Sequence, residues 1–168
     1  MADFRNATWG MTQAQVRSLE IGHPKLDAEG MLLYEVIVAS MDAEAFYQFR
    51  EGELASASYQ FREERTSPNR YVRDFNRLVE LYTRKYGEPD GSHVEWHDDL
   101  YRDSPDNWGY AVERGDVAFF TKWSTTESGV SIMLSGGNYE ASIFAHYVCL
   151  AHQAALTDSE SLDELDMI

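Results

Sequence analysis

The chain has 168 residues, 43% of them hydrophobic, and carries 14 basic against 29 acidic side chains, a net charge of −15. This charge disfavours nucleic-acid binding through phosphate contacts and favours a basic protein partner. No apolar run approaches the ~18 residues of a membrane span, so none is predicted. The single cysteine, Cys149, and the polar first ten residues predict a cytoplasmic protein in which Cys149 is a buried apolar side chain.

A short helix over about 13–21 is predicted by the stretch GMTQAQVRSLEIGHP. Thr12 and Gln15 have the spacing of a capping box, in which each side chain bonds the backbone amide of the other residue. Gly22 and Pro24 then provide the signals that end a helix.

Three strands are predicted after this helix, in the segments MLLYEVIVAS, AEAFYQFR and ELASASYQFR. Ala45, Tyr47 and Phe49 alternate along one side, as expected for a half-buried antiparallel strand. Glu51 and Gly52 form the hairpin signal between the last two strands.

A longer helix is predicted from an N-cap at Asn69 to the stop at Gly87, because its apolar residues recur with a period near 3.6. Its opposite face carries Arg73, Arg77 and Arg84, which we interpret as residues that dock an acidic partner. The alternative is that these arginines are an ordinary solvated helix face.

Five more strands are predicted after the second helix, in the segments HVEWH, WGYAVER, DVAFFTKWST, GVSIMLS and YEASIFAHYV. Arg114 and Gly115 are interpreted as a hairpin that joins WGYAVER to DVAFFTKWST. Gly136, Gly137 and Asn138 are interpreted as the turn between the last two strands.

The predicted fold class is α+β, an antiparallel β-sheet with two α-helices packed on one face. Gly22 and Gly87 lie 65 residues apart, and Gly52 and Gly115 lie 63 apart, which favours a tandem duplication of a helix and β-meander unit. Chance recurrence of common stop residues is the alternative. We therefore predict a single domain over 1–156, with repeat halves at 1–66 and 67–156, followed by an acidic tail over 157–168.

The densest polar and aromatic stretch runs from residue 93 to residue 109. Its candidate binding residues are Trp96, Asp98, Asp99, Tyr101, Trp108 and Tyr110. Such aromatic residues are frequent in interface hot spots, although they equally well close one end of a core. On a strand His93 and His97 would be about 13 Å apart, too far to share one metal ion. No metal site is therefore assigned.

Catalytic motifs are absent: the sequence contains no G-x-S-x-G, no phosphate-binding glycine loop and no H-E-x-x-H. On a strand, Cys149 and His146 would point to opposite faces, which argues against a nucleophile and base pair. No cofactor is predicted, and enzymatic activity is disfavoured without being excluded.

The stretch WGMTQAQVRSLEIGHP and the β-meander after it resemble the start of small domains in the SmpA/OmlA outer-membrane lipoproteins and in β-lactamase inhibitor proteins. The resemblance implies helix-then-sheet units, sometimes in tandem, that bind other proteins. From this resemblance we take for this chain only the helix-and-sheet style of fold and the expectation of protein binding.

The predicted function is therefore a non-enzymatic protein-binding domain that uses the outer sheet face or the loop at 98–108. The expected partner is another protein, and the charge favours a basic one. The alternative is a small-ligand or metal-dependent enzyme with its site around residues 93–109. The tail over 157–168 is either a docking helix or a disordered terminus.

Overall fold

The structure is a computed structural model, and it describes residues 1–155. The helices are α1 (Gln13–Leu19), α2 (Asn69–Tyr86) and α3 (Trp108–Arg114), with a 3-10 turn at Pro105–Asn107. The strands are β1 (Leu26–Ala28), β2 (Met31–Val38), β3 (Met41–Arg50), β4 (Glu53–Phe61), β5 (Gly91–Trp96), β6 (Val117–Ser124), β7 (Ser128–Gly137) and β8 (Glu140–Cys149). Residues 150–155, after β8, are also helical.

All eight strands form one antiparallel sheet in the order β1-β2-β3-β4-β8-β7-β6-β5. Two four-stranded meanders therefore meet at the β4–β8 pair, where Tyr59 lies opposite Ala145. This confirms the predicted α+β class and the antiparallel sheet. The short strand β1, before β2, was not predicted.

Helix α1 begins with the predicted capping box. The Gln15 amide donates to the Thr12 hydroxyl at 3.2 Å, and the Thr12 amide donates to the Gln15 side chain at 2.9 Å. The helix ends at Leu19, two residues earlier than predicted, because the backbone of Glu20 is extended. The Glu20 carboxylate accepts hydrogen bonds from Arg5, which stabilises this early end.

Helix α2 buries Phe75, Leu78 and Tyr82 and ends where Gly87 donates to the Thr83 carbonyl, as the sequence predicts. The predicted N-cap at Asn69 is wrong: Pro68 occupies the cap position without a side-chain bond. The side-chain oxygen of Asn69 instead accepts from the Gly109 amide of α3 at 2.7 Å.

Helix α3 replaces the strand predicted for WGYAVER, and the hairpin predicted at Arg114 and Gly115 is also wrong. Gly115 has a left-handed backbone (φ 82°) and ends the helix with bonds to the carbonyls of Ala111 and Val112. Trp108, Ala111 and Val112 have helical i, i+3, i+4 spacing, which could have identified α3. The chain thus has more helix than the two predicted elements.

The core is one buried cluster with residues from both meanders. Phe4 lies with its ring centroid 5.2 Å from Tyr47 of β3, 4.7 Å from Tyr59 of β4 and 4.9 Å from Tyr147 of β8. The hydroxyl of Tyr82 is 2.5 Å from that of Tyr147, which joins α2 to the central strand pair. Edge-on aromatic contacts of this kind add to the stabilisation from burial.

The acidic tail predicted at 157–168 lies outside the described residues. Within residues 1–155, no helix is long and apolar enough to cross a membrane.

Candidate functional site

Trp96 and Trp108, two of the predicted binding residues, pack against each other with ring centroids 6.0 Å apart and planes at 63°. Trp108 also lies 5.9 Å from the buried Phe119 of β6, and its indole NH donates to the Arg102 carbonyl. Both tryptophans are half-buried. The pair therefore packs on the end of the core, as the alternative interpretation of these aromatic residues stated.

Tyr101 and Tyr110 form a second edge-on pair, with centroids 5.6 Å apart. The Arg114 guanidinium lies 5.8 Å and 5.9 Å from these two rings, within the range of a cation–π contact. Arg114 also pairs with Asp116 at 2.9 Å. This cluster fixes the loop against α3.

The predicted acidic residues Asp98 and Asp99 are both exposed. Asp98 accepts a hydrogen bond from the Leu100 amide at 2.9 Å, which is the local bond of a turn. Asp99 pairs with Arg102 at 3.2 Å. The structure therefore places the predicted loop residues in two aromatic pairs and in the turn itself.

The predicted docking residues Arg73, Arg77 and Arg84 are all exposed on α2. Phe75, Leu78 and Tyr82 on the other side of the helix are buried. Exposure of the arginines fits both a docking surface and a solvated helix face.

A different surface emerges from the alternation of residues along the central strands. The side chains that point away from the buried cluster form what we term the open face. Its central members are Phe46, Ser58, Gln60, Phe120, Lys122, Ser131, Met133, Phe144, His146 and Val148. None of them is buried, whereas the residues on either side of each in the same strand are buried.

An apolar row crosses three neighbouring strands of the open face. Phe144 of β8 lies opposite Met133 of β7, which lies opposite Phe120 of β6. Residues opposite each other in antiparallel strands have Cβ atoms about 5 Å apart, so these three side chains are contiguous. Met133 is 38% exposed and the two phenylalanines are partly exposed.

A polar row runs beside the apolar one. His146 lies opposite Ser58 on one neighbouring strand and opposite Ser131 on the other, and Ser131 lies opposite Lys122. His146 is exposed, but partial desolvation by the surrounding strands lowers its pKa below the ordinary value of 6.5. The imidazole is therefore mostly neutral at pH 7, and Lys122 is the charged side chain of this row.

A charged cluster borders the open face on β3. Glu44 is only 5% exposed, and its carboxylate accepts from Lys25 at 3.3 Å and from Arg62. Burial alone would raise the pKa of Glu44, but the bonds from Lys25 and Arg62 keep it below its ordinary value. Lys25 also pairs with Glu35 at 3.5 Å, so two carboxylates balance the two cations of the cluster.

The outer sheet face was a predicted candidate surface, but the sequence pattern did not single out Phe46, Phe120, Met133, Phe144 or Val148. The signal was present in SIFAHYV, where apolar residues occupy both alternating positions of one strand. An alternating pattern identifies the residues that share a face, but with both faces apolar it does not tell which face is covered.

No group of three or more His, Cys, Asp or Glu side chains that could hold a metal ion occurs among the described residues. Comparison of the chain with protein-family models, with curated proteins and with solved structures returned no match.

Proposed function

We propose that this chain is a non-enzymatic protein-binding domain whose partner docks on the open face. The observation that carries the proposal is the row of Phe144, Met133 and Phe120, partly exposed across β8, β7 and β6 of a broad sheet face. An antiparallel sheet with one solvated face normally presents polar side chains there. Contiguous apolar side chains on a surface are typical of interaction sites.

The size of the open face fits a protein partner. Eight strands about 4.8 Å apart make a sheet about 33 Å wide, and strands of 10 residues are about 33 Å long. The resulting area of about 1,000 Å² exceeds the ~800 Å² that each partner contributes to a standard interface. The short serine side chains beside the apolar row leave room for an inserted partner side chain.

We further propose that α1 and α2 both lie on the face opposite the open face. The contact of Tyr82 in α2 with Tyr147 supports this arrangement for α2. For α1, Val16 belongs to the same buried cluster, and the carboxylate of Glu20 accepts from the hydroxyl of Tyr47. Tyr47 and Tyr147 both point away from the open face.

We also infer a tandem duplication of a helix and a four-stranded meander. The starts of β1 and β5 are 65 residues apart, those of β2 and β6 are 86 apart, and those of β3 and β7, and of β4 and β8, are 87 apart. The change in spacing falls between β5 and β6, where residues 97–116 replace the two-residue turn of Glu29 and Gly30. That segment, which contains α3, is then an insertion in the second copy.

This correspondence replaces the one suggested by the sequence. The turn at Glu51 and Gly52 corresponds to the turn at Asn138 and Tyr139, and not to Gly115, which ends α3. All four turn residues have positive φ, as a two-residue hairpin turn requires.

A repeat of this kind is also what the resemblance to the SmpA/OmlA lipoproteins and β-lactamase inhibitor proteins implies. Their expected mode of action, binding to another protein, agrees with the proposal. Because the net charge is −15, we expect a basic partner to associate faster at low salt.

The test is a pull-down with the tagged full chain as bait, in which Phe144→Arg is compared with Leu100→Arg. Leu100 is 61% exposed in the loop at 98–108 and is the matched control on the other candidate surface. We expect one stoichiometric partner that is retained by Leu100→Arg and lost by Phe144→Arg. The partner should also be washed off by high salt if it is basic.

The result that would contradict the open face is loss of the partner with Leu100→Arg and retention with Phe144→Arg, which would assign binding to the loop. A further variant, Arg77→Glu, tests the arginines of α2 in the same way. Thermal unfolding of each variant shows whether it is folded. Capture of no partner by any bait would count against a protein-binding domain.

The alternative function, a small-ligand or metal-dependent enzyme around residues 93–109, has no observation in its favour. The aromatic side chains there are engaged with one another and with the core.

A further inference from the structure

Strand β5 forms one free edge of the sheet. It is the last strand in the sheet order, with β6 as its one neighbour among the described strands. Residues 92–95 of β5 are all exposed, so solvent reaches both faces of the strand. Val94 is 45% exposed, although it lies opposite the buried Phe119 of β6. The strand GSHVEW also has neither the lysine nor the proline that commonly protects such an edge.

The hydrogen bonds next to β5 show which of its backbone groups are unpaired. His97, the residue after β5, donates its backbone N–H to the Asp116 carbonyl at 2.7 Å. Because backbone groups point alternately to the two sides of a strand, the odd-numbered residues of β5 face β6. The N–H and C=O groups of the even-numbered residues therefore point out from the sheet. These residues are Ser92, Val94 and Trp96.

The opposite edge of the sheet, at β1, is obstructed. β1 has only three residues, and the Gln13 side chain of α1 donates to the Ala28 carbonyl at 2.7 Å. Gln13 and Arg17 also bind the Asp27 carboxylate, at 3.0 Å and 2.8 Å, which holds α1 beside β1. A short edge covered by side chains is a poor template for another strand. Of the two edges, β5 is therefore the one available for pairing.

We propose that β5 pairs with β5 of a second copy of this chain, antiparallel and about a two-fold axis at Val94. In this register Val94 lies opposite Val94 of the second copy, and Ser92 lies opposite Trp96. Residues opposite each other in such a pair exchange both backbone bonds, so every outward N–H and C=O of the three residues gains a partner. The axis closes the assembly at two copies, because each copy uses its one available edge.

The side chains of β5 are complementary to themselves in this register. His93 and Glu95 lie on the open face, opposite Phe120 and Ala118 of β6. Across the axis, His93 of each copy lies opposite Glu95 of the other, in the type of pair whose side chains are closest. An imidazole N–H donates to a carboxylate in either charge state of the ring. On the other face, Val94 buries its exposed side chain against Val94 of the second copy.

The neighbouring two-fold registers lack this match. An axis at His93 places two histidines opposite each other, and an axis at Glu95 places two carboxylates opposite each other. Like charges directly opposite are destabilising. In the register at Val94, the exposed Asp90 and Asp98 flank the pairing at its ends. Their repulsion limits the affinity, so we expect a weak dimer.

This contact is separate from the proposed docking site and does not depend on the proposed function. The apolar row of the open face is on β6, β7 and β8 and points out of the sheet, whereas the pairing of β5 extends the sheet sideways. Phe144→Arg is therefore expected to dimerise as the parent chain does.

The test is sedimentation equilibrium of the full chain in about 0.15 M sodium chloride, from about 10 μM to about 1 mM. We expect the average mass to rise with concentration from the 19.2 kDa of one chain toward twice that value. Val94→Pro removes the outward N–H at the axis and no bond to β6, and Glu95→Lys removes the carboxylate opposite His93. Each should weaken association about tenfold or more.

Two further variants separate the local contact from net charge. Glu29→Lys makes the same change in charge in the exposed turn between β1 and β2, and it should associate as the parent does. His93→Glu combined with Glu95→Lys exchanges the two charges across the axis. This double variant should restore association to within about threefold of the parent.

Amide hydrogen exchange locates the contact. The amides of Ser92, Val94 and Trp96 should exchange several-fold more slowly at about 1 mM than at about 10 μM, whereas those of His93 and Glu95 should be slow at both concentrations.

Three results would overturn the proposal. The first is a mass that stays at 19.2 kDa up to about 1 mM, which would leave the edge to a strand of another protein. The second is association that Val94→Pro and Glu95→Lys both retain. The third is exchange of the three outward amides that does not depend on concentration. Thermal unfolding shows whether Val94→Pro is folded, and if it is not, Glu95→Lys and the double variant decide.

Discussion

His146 stands between two uncharged neighbours on the open face, Ser58 and Ser131. Neither hydroxyl carries a negative charge that would compensate a proton on the imidazole, and partial desolvation keeps the pKa below the ordinary 6.5. The unfolded chain, in which the imidazole is fully hydrated, therefore binds this proton more readily than the folded chain. Stability is thus coupled to pH through one residue of the candidate surface.

The expected consequence is a loss of stability on acidification. The contribution of His146 is fully present above pH 6.5 and is lost progressively as the pH falls through 6.5 and through the folded pKa. Denaturant unfolding at pH 7.5 and at pH 5 should show a smaller decrease for His146→Asn than for the parent chain. Equal decreases in the two proteins would show that His146 does not titrate differently on unfolding.

At the scale of secondary-structure elements, long and strongly periodic segments were predicted correctly. β2, β3, β4 and α2 lie where alternation and the 3.6-residue period place them, and the box of Thr12 and Gln15 marks the start of α1. The seven residues of α3 were predicted as a strand, because so short a segment fits either period. The start of α3 is also held by a hydrogen bond from the Gly109 amide to the side-chain oxygen of Asn69, 40 residues away along the chain, a contact that the local sequence does not show.

Gly109 provides a test of how α3 is held against α2. A Cβ added at Gly109 would lie 2.2 Å from the carbonyl carbon of Pro68, which is backbone and cannot rotate away. Alanine is favoured over glycine in a helix by about 1 kcal/mol, but overpacking against backbone costs about 1–3 kcal/mol or more. We expect Gly109→Ala to be destabilised overall, as measured by chemical denaturation.

The matched control is Gly137→Ala at the end of β7, where an added Cβ would meet no atom within 4 Å. Its free energy of unfolding should change by less than about 0.5 kcal/mol. If Gly109→Ala were as stable as this control, the close contact of α3 with the start of α2 would be wrong.

At the scale of the whole molecule, the sequence predicted the fold class but not the order of strands in the sheet. Meanders follow from neighbouring hairpins, whereas the pairing of β4 with β8 joins segments far apart in the chain. The outer sheet face was predicted as a candidate surface, but its apolar residues were not singled out, for the same reason. Phe144, Met133 and Phe120 become one row only through the register of three strands.

Net charge is a property of the whole chain, and it makes a prediction about salt. At −15 the acidic side chains repel one another more in the compact state than in the unfolded one. Raising the ionic strength from about 0.01 M to about 0.15 M shortens the screening length from about 30 Å to about 8 Å. We therefore expect the melting temperature to rise with sodium chloride over this range.

A chain without residues 157–168, which carry five acidic and no basic side chains, should show a smaller rise with salt. A melting temperature that falls with salt in both proteins would mean that ion pairs such as that of Glu44 with Arg62 outweigh the repulsion.

The β4–β8 pair also has a consequence during synthesis on the ribosome. β4 ends at Phe61 and its partner β8 begins only at Glu140, 79 residues later. At about 5–20 residues per second, the first meander waits about 4–16 s with one edge of β4 unpaired. An open strand edge is a template for pairing with other chains, so nascent copies on one messenger RNA would be most prone to misassembly in this interval.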